Sequence, residues 1–415
     1  MVARSPSTGR FLLVAVMLTA SANSAKAEKI GLGDALLRAE KTNPDLRRSA
    51  AEVEEAEGGV VGARTISFNP QLGIEFGPAF RGGEPFSGYE VSLTQTFELG
   101  GKRKKRVAGA EARRAAAGAS LSWTRQLAAL RVRRAYFLAI GAREQLETAR
   151  EGEAVAAELK AAADERLKLG AGTQLEVNTA SGIVGRARAD RLTVERRYRE
   201  TRAELAAATG APAEVDLEPE GELPSFVEIA MIEDDFVALA LQARGDLVVL
   251  RQERVAAESD LALADALAVP DLNAGPVYGH EGMDDVDTIL LGVSIGLPLW
   301  NRNQGGRKVA RAAVKRAVVV EDAGRREAHR AARTAYGNYK LAREAVLSFD
   351  RDVVERLGEN LDLARESFRS GKIGLLEFNI VRRDLVETRR AYLHALAELI
   401  EASYALDLTA GGTVK

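Results

Sequence analysis

The sequence predicts a mostly α-helical protein with a membrane β-barrel portion to which each chain contributes four strands. Three observations predict it. One helix–hairpin–long-helix plan is written twice. Four segments of about ten residues alternate apolar and polar side chains. A run of roughly 65 residues, from Gly101 to about Leu169, contains no proline.

The duplication rests on three anchors at nearly one offset. Asp45-Leu46 and Asp246-Leu247 open similar polar helices, 201 positions apart. The run "AYFLAIGARE" (135–144) matches "AYGNYKLARE" (335–344). "RLKLGAGTQLEVN" matches "SFRSGKIGLLEFN", which sets Glu176 opposite Glu377. The resulting boundaries are a first repeat at 28–210, a Pro/Glu-rich linker at 211–224, a second repeat at 225–408 and a tail at 409–415. Each repeat is expected to hold a helix of about 25 to 35 residues, two strands, a long helix, a glycine-marked turn and a returning helix.

Composition narrows the function classes. The chain has 415 residues, 46% of them hydrophobic and 28% charged, so a sizeable core is expected rather than disorder. A net charge of -2 gives no field to gather nucleic acid, and no such partner is expected. There is no cysteine, which removes disulfides, thiolate metal sites and cysteine nucleophiles.

The N-terminus reads as a cleavable signal peptide, residues 1–27. Arg4 and Arg10 supply the positive region, Phe11 to Ala20 the apolar one, and Ala25-Lys26-Ala27 the cleavage signal. Glu28 would begin the mature chain, and because it is not cysteine no lipid is expected there. No later segment offers the roughly 20 apolar residues of a spanning helix. An exported chain of this kind enters a membrane only as a β-barrel.

The strands fall at about 68–78, 88–98, 270–280 and 287–299. Leu72, Ile74 and Phe76 share one face of the first; Tyr89, Val91, Leu93 and Phe97 share one face of the second. Ile289, Leu291, Val293, Ile295 and Leu297 line the last. Ten tilted residues match a bilayer. A competing reading packs two hairpins on a soluble domain. In lipid, four strands leave unpaired edges that cost several kcal/mol per backbone group, so closure requires several chains. Two copies would give eight strands and three would give twelve; the residues do not choose. The proline-free run, at 1.5 Å per residue, extends about 100 Å, which suits a coiled coil or α-barrel.

Between strand two and that run lies "QTFELGGKRKKR" (95–106). Gly100 and Gly101 are placed to bend the chain from strand to helix. Lys102, Arg103 and the cations up to Arg106 are expected just below the bilayer, within reach of lipid phosphates. Further along, Gly170, Gly172 and Gly371 mark the helix reversals. Glu176, Glu377 and Lys372 beside them are candidate pore or gate residues, since each would be repeated around an axis.

Catalytic signals are few. Neither a Walker A run nor H-E-x-x-H is present, and no enzymatic activity, cofactor or metal site is expected. None of His280, His329 and His394 is expected to have a metal-site partner at i+3 or i+4 on one helix. His280 opens an acidic loop with Glu281, Asp284, Asp285 and Asp287, read as solvated.

Taken together, the signal peptide, the duplicated units, "QTFELGGKR" and its counterpart "GLPLWNRNQGGR" resemble the TolC-like outer membrane efflux family over about residues 30–408. "QTFELGGKR" is similar to the CzcC-like cation-efflux branch. That resemblance implies a homotrimer with a 12-stranded barrel in the outer membrane of a Gram-negative bacterium, continued by a 12-helix α-barrel across the periplasm. It implies a passive exit duct coupled through a periplasmic adaptor protein to an inner-membrane pump of the resistance-nodulation-division type, exporting metal cations. It also places an acidic ring at the tip, at the position of Glu377; a second family acid falls on Ile380 here. The alternative is a periplasmic coiled-coil or adaptor-like protein.

Overall fold

The computed structural model describes residues 27–412 except 82–83, 213, 225, 227, 282–285 and 350, with backbone alone at 78–81, 84–87 and 351–357. The signal-peptide expectation lies outside the described residues, apart from Ala27.

A short strand β1 (Glu28–Ile30) leads into α1 (Leu32–Thr42) and α2 (Pro44–Arg64). The first helix is therefore two. Pro44 drives the preceding Asn43 out of the helical region, to φ -61°, ψ 122°, and Asn43 then caps α2 by accepting from the Asp45 and Leu46 N–H groups. A hairpin follows, β2 (Gln71–Arg81) and β3 (Glu84–Phe97). Then comes α3 (Lys102–Lys168), 67 unbroken residues, and α4 (Gln174–Thr209) running back.

The second repeat has the same order: α5 (Glu233–Ala243), α6 (Gly245–Ala266), β5 (Leu272–Glu281), β6 (Val286–Ile295), α7 (Gln304–Leu347), α8 (Arg351–Arg369) and α9 (Leu375–Ala410). Its long helix is broken where a single one was expected. The Ser348 hydroxyl donates to Ala345 O at 2.6 Å and the Phe349 N–H turns back to Val346 O at 3.1 Å. A serine that competes for helix carbonyls closes α7 there.

The expected linker is partly built in. Its Leu217–Pro219 form strand β4, parallel to β1, and Leu217 is fully buried. The repeated "AY…ARE" motif holds these crossings. Tyr136 donates its hydroxyl to the carbonyls of Glu220 and Ile30, and Arg143 reaches Pro219 O at 2.8 Å. In the second copy the Tyr336 hydroxyl reaches Met231 O at 2.9 Å. The tail is likewise shorter than expected, because α9 continues to Ala410 and Gly411, at φ 73°, ends it. A side chain at Gly411 would strike Ala243 O.

The strand order is β2-β3-β5-β6, antiparallel throughout, so the two hairpins join through β3 and β5. Both outer strands, β2 and β6, keep one unpaired edge in this chain. No helix among the described residues is long and apolar enough to cross a membrane. The core is spread along the rod in separate clusters rather than gathered at one centre.

Candidate functional site

The strand–helix junction is set by two left-handed residues, Gly100 (φ 71°) and Gly101 (φ 69°). Only glycine adopts that pair of angles without strain, and a Cβ on Gly100 would also press on Val269 at 3.0 Å. The next residue corrects the lipid expectation. Lys102 is 5% exposed, and its Nζ lies 2.7 Å from Asp271 Oδ1, an oxygen that also accepts from the Leu99 N–H at 3.1 Å. Lys102 is thus an internal strut. Arg103 donates to Arg64 O at 3.0 Å. Arg106 pairs with Glu98 through two contacts, 2.5 and 3.0 Å, holding the Glu98 carboxyl below the ordinary glutamate range and raising its own pKa. Of the cation block, Arg103 and Lys104 are exposed, and Lys105 and Arg106 partly so.

In the second copy the bend is made differently. Asn303 takes the left-handed angle (φ 55°) and its side-chain amide donates to Ala264 O at 2.8 Å. Gly305 and Gly306 lie inside α7, so the matching "GG" is not the bend.

Register puts the apolar residues of the sheet on one face. Ile74, Val91, Tyr278 and Ile289 form one cross-strand row, and Phe97, Leu272 and Ile295 another. In the isolated chain this face is open: Phe76 is 84%, Ile289 80% and Leu291 74% exposed. An apolar surface of this kind marks a contact with lipid or with another chain. The reverse face is more polar. Thr96 Oγ1 donates to Asn273 Oδ1 at 2.7 Å, and Asn273 reaches Ser294 at 3.5 Å. Glu75 sits directly opposite Glu90 on that face. Leu290 is an apolar exception among them.

At the far end of the apolar face, Asp287 accepts from the Tyr278 hydroxyl at 2.8 Å and lies 2.9 Å from His280 Nδ1. Residues 282–285 of the acidic loop lie outside the described residues. His394 is on the exposed side of α9, 3.6 Å from Glu398.

At the helical turns, Gly170 (φ 71°) and Gly371 (φ 74°) are both left-handed. Each turn closes with the same pair of bonds: Gly170 to Leu167 O and Ala171 to Arg166 O, then Gly371 to Phe368 O and Lys372 to Ser367 O. Gly172 is required for space, since a Cβ there would meet Leu167 N at 3.0 Å. Lys372 is exposed.

Glu176 and Glu377 have a structural task at these turns. Glu176 accepts from the Thr173 N–H at 3.1 Å while the Thr173 hydroxyl accepts from the Glu176 N–H at 3.2 Å, a reciprocal cap. Glu377 accepts from the Gly374 N–H at 2.8 Å; glycine has no side chain, so only this half of the cap exists. The sequence signal for the first cap is the run T-x-x-E at 173–176.

A second pattern was also present. Gly292-Val293-Ser294-Ile295-Gly296 spells G-x-S-x-G, but Ser294 sits within strand β6 rather than on the strand-to-helix elbow that exposes a nucleophile. Ion pairs between the repeats had no local signal. Arg134 meets Glu401, Arg389 meets Glu151 at 2.7 Å, and Arg390 meets Asp190 at 3.2 Å. No cluster of three or more His, Cys, Asp or Glu suited to a metal occurs among the described residues.

Twin edges on a four-stranded sheet and helices of this length define a channel-type architecture. The chain belongs to the outer membrane efflux protein family, whose model matches it twice, at residues 35–211 and 236–412. It is similar to the cobalt-zinc-cadmium resistance protein CzcC of Cupriavidus metallidurans, 24% identical over 93% of this chain and 91% of that one. Among solved structures, the outer-membrane channel OprN superposes with a TM-score of 0.76 at 19% identity, covering 92% of this chain and 90% of that one. CusC, described in connection with transmembrane channel formation, gives 0.72 at 18% identity, covering 92% of each. VceC of Vibrio cholerae gives 0.73 at 19%, covering 92% of this chain and 97% of that one.

Proposed function

We propose that this protein is the outer-membrane duct of a tripartite efflux system and that its solutes are metal cations. Three chains would close a 12-stranded barrel, each β6 edge pairing with the β2 edge of the next chain. The α-helices would continue the channel through the periplasm, to an adaptor protein and an inner-membrane pump of the resistance-nodulation-division type. The chain would be exported by a cleavable signal peptide, matured at Glu28 without lipid, and would perform no chemistry itself.

One observation carries this reading. A sheet with one exposed apolar face and two unpaired edges continues, through a two-glycine bend, into a helix of about 100 Å. Water penalises the first feature, lipid penalises the second, and closing several copies into a barrel relieves both. Support for the cation solute is the similarity to CzcC, a protein named for resistance to cobalt, zinc and cadmium.

The test is cellular fractionation followed by electrophoresis without and with heating. A duct stays with the outer membrane and runs as a trimer that heating converts to monomer. Release by osmotic shock as a soluble species would replace this reading with the periplasmic coiled-coil one. Deletion of the gene should then sensitise cells to cobalt, zinc or cadmium; unchanged tolerance would remove the cation assignment alone.

A further inference from the structure

A cavity of about 310 Å³ opens between α3, α8 and α9. Two helical glycines leave the room for it, Gly152 on α3 and Gly358 on α8. Glycine inside a helix costs about 1 kcal/mol relative to alanine. Among the described residues neither position is crowded: a Cβ on Gly152 would touch Val386 at 3.5 Å, and one on Gly358 Arg389 at 3.8 Å. The walls include Val155, Leu361 and Leu385, all buried, and Val386.

Three arginines and three carboxylates line this cavity, but the carboxylates are all taken by two of the arginines. Arg389 is paired with Glu151 at 2.7 Å. Arg365 is held by Glu158 at 3.1 Å and Asp362 at 2.8 Å. Among the described residues, Arg382 has no carboxylate within ion-pair distance. One of its nitrogens donates to Asn379 Oδ1 at 3.2 Å, and its enclosed Nε has no acceptor. The charge that bears on it most is Arg186, which repels it; Asp190, which attracts it, is bonded to Arg390 at 3.2 Å. Burial and Arg186 together hold the Arg382 guanidinium below its ordinary pKa. A cation in this position gains from any anion that reaches it.

We propose that this cavity binds a small amphiphilic carboxylate, its apolar body against Val155, Leu361, Leu385 and Val386 and its carboxylate on Arg382. The volume falls at the lower end of ligand cavities, about 300–1,000 Å³. One aliphatic side chain from a neighbouring helix would underfill it. The walls come from both repeats, α3 on one side and α8 and α9 on the other, so an occupant bridges them. Binding requires only the folded full chain and does not depend on the efflux reading.

The probe is 4-phenylbutanoate, titrated calorimetrically into the purified full-length protein, with 4-phenylbutanamide and 4-phenylbutylamine as neutral and cationic counterparts. The acid should bind saturably and about tenfold or more tighter than the amide, as expected for a hydrogen-bonded charge. Arg382→Gln should weaken acid binding by about the same factor. Gly152→Val, which fills the cavity and leaves Arg382 in place, should abolish binding of acid and amide alike. Equal affinity for acid, amide and amine overturns the proposal. So does acid binding that survives either substitution in protein of unchanged oligomeric state and helix content.

Discussion

Lys102 Nζ and Asp271 Oδ1 are 2.7 Å apart, joining the first residue of α3 to the segment just before β5. The pair links repeat to repeat at the level where sheet becomes helix. Its lysine side chain is 6% exposed and its aspartate 24%. Breaking a buried pair from one side costs about 3–5 kcal/mol, and the partial exposure of Asp271 reduces that to about 2–3. Asp271→Ala should therefore lower the unfolding free energy by about 2–3 kcal/mol, and Lys102→Met/Asp271→Leu should recover most of it. Chemical denaturation of the purified protein measures both. A loss below about 0.5 kcal/mol, the range of an exposed pair, would return Lys102 to the surface.

The capping geometry separates two roles for Glu377. Glutamine at 377 can still accept from the Gly374 N–H, so Glu377→Gln keeps the turn and removes the charge. If three such carboxylates surround the axis, Glu377→Gln weakens cation selectivity and divalent block in planar-bilayer recordings without affecting assembly. Glu176→Gln should do less. Glu377→Ala loses the cap as well and should destabilise by about 1 kcal/mol. Wild-type selectivity and block in Glu377→Gln would leave this residue as a helix cap alone.

The two faces of β6 should respond differently to charge. Arginine at Leu291, on the exposed apolar face, should cost about 2–4 kcal/mol if that face meets lipid near the midplane. Arginine at Ser294, on the polar face beside Asn273, should be milder. The readout is the fraction of membrane-inserted oligomer in cells. Equal tolerance at the two positions would contradict a lipid-facing assignment.

Acid sensitivity follows from Glu98. Its folded pKa is held below the ordinary 4.5 by Arg106 first, with help from Ser67. A depressed carboxylate contributes stability above its unfolded pKa, and that contribution fades as pH falls through the folded value. The Arg106 pKa is raised by the same pair, so the guanidinium stays charged throughout this window. Thermal melts of wild type and Glu98→Gln should differ most near neutrality and converge progressively as the pH falls below the ordinary glutamate range. A difference that does not shrink at all as the pH falls through the acid range would show that the Arg106 pair is not its source.

Much of the architecture was written locally. Residues 102–168 lack proline, and the predicted helix differs from α3 by a residue at each end. Gly170 and Gly371 announced the reversals because the left-handed region is cheap only for glycine. Alternation along 71–76 and 289–295 carried the strand faces. What the sequence hid was mostly contact between distant residues. Lys102 reads as one of five surface cations, and only the approach of Asp271, 169 positions on, buries it. The break at Ser348 had no glycine or proline to mark it. Asn303 was obscured by the neighbouring Gly305-Gly306, which matched the first copy in letters and not in conformation. At Glu176 the signal was local: T-x-x-E at 173–176 spells the cap that Glu176 makes with Thr173.

Disulfide trapping tests the trimeric barrel most directly, because the native chain has no cysteine to interfere. Single cysteines would be placed in pairs along both open edges, one in Gln71–Phe76 of β2 and one in Thr288–Ile295 of β6, and the membrane fraction oxidised. Closure of three chains predicts that pairs in register give covalent dimers and trimers and nothing larger on non-reducing denaturing gels. Chains that stay monomeric across the whole scan, or ladders that stop at dimer, would contradict it.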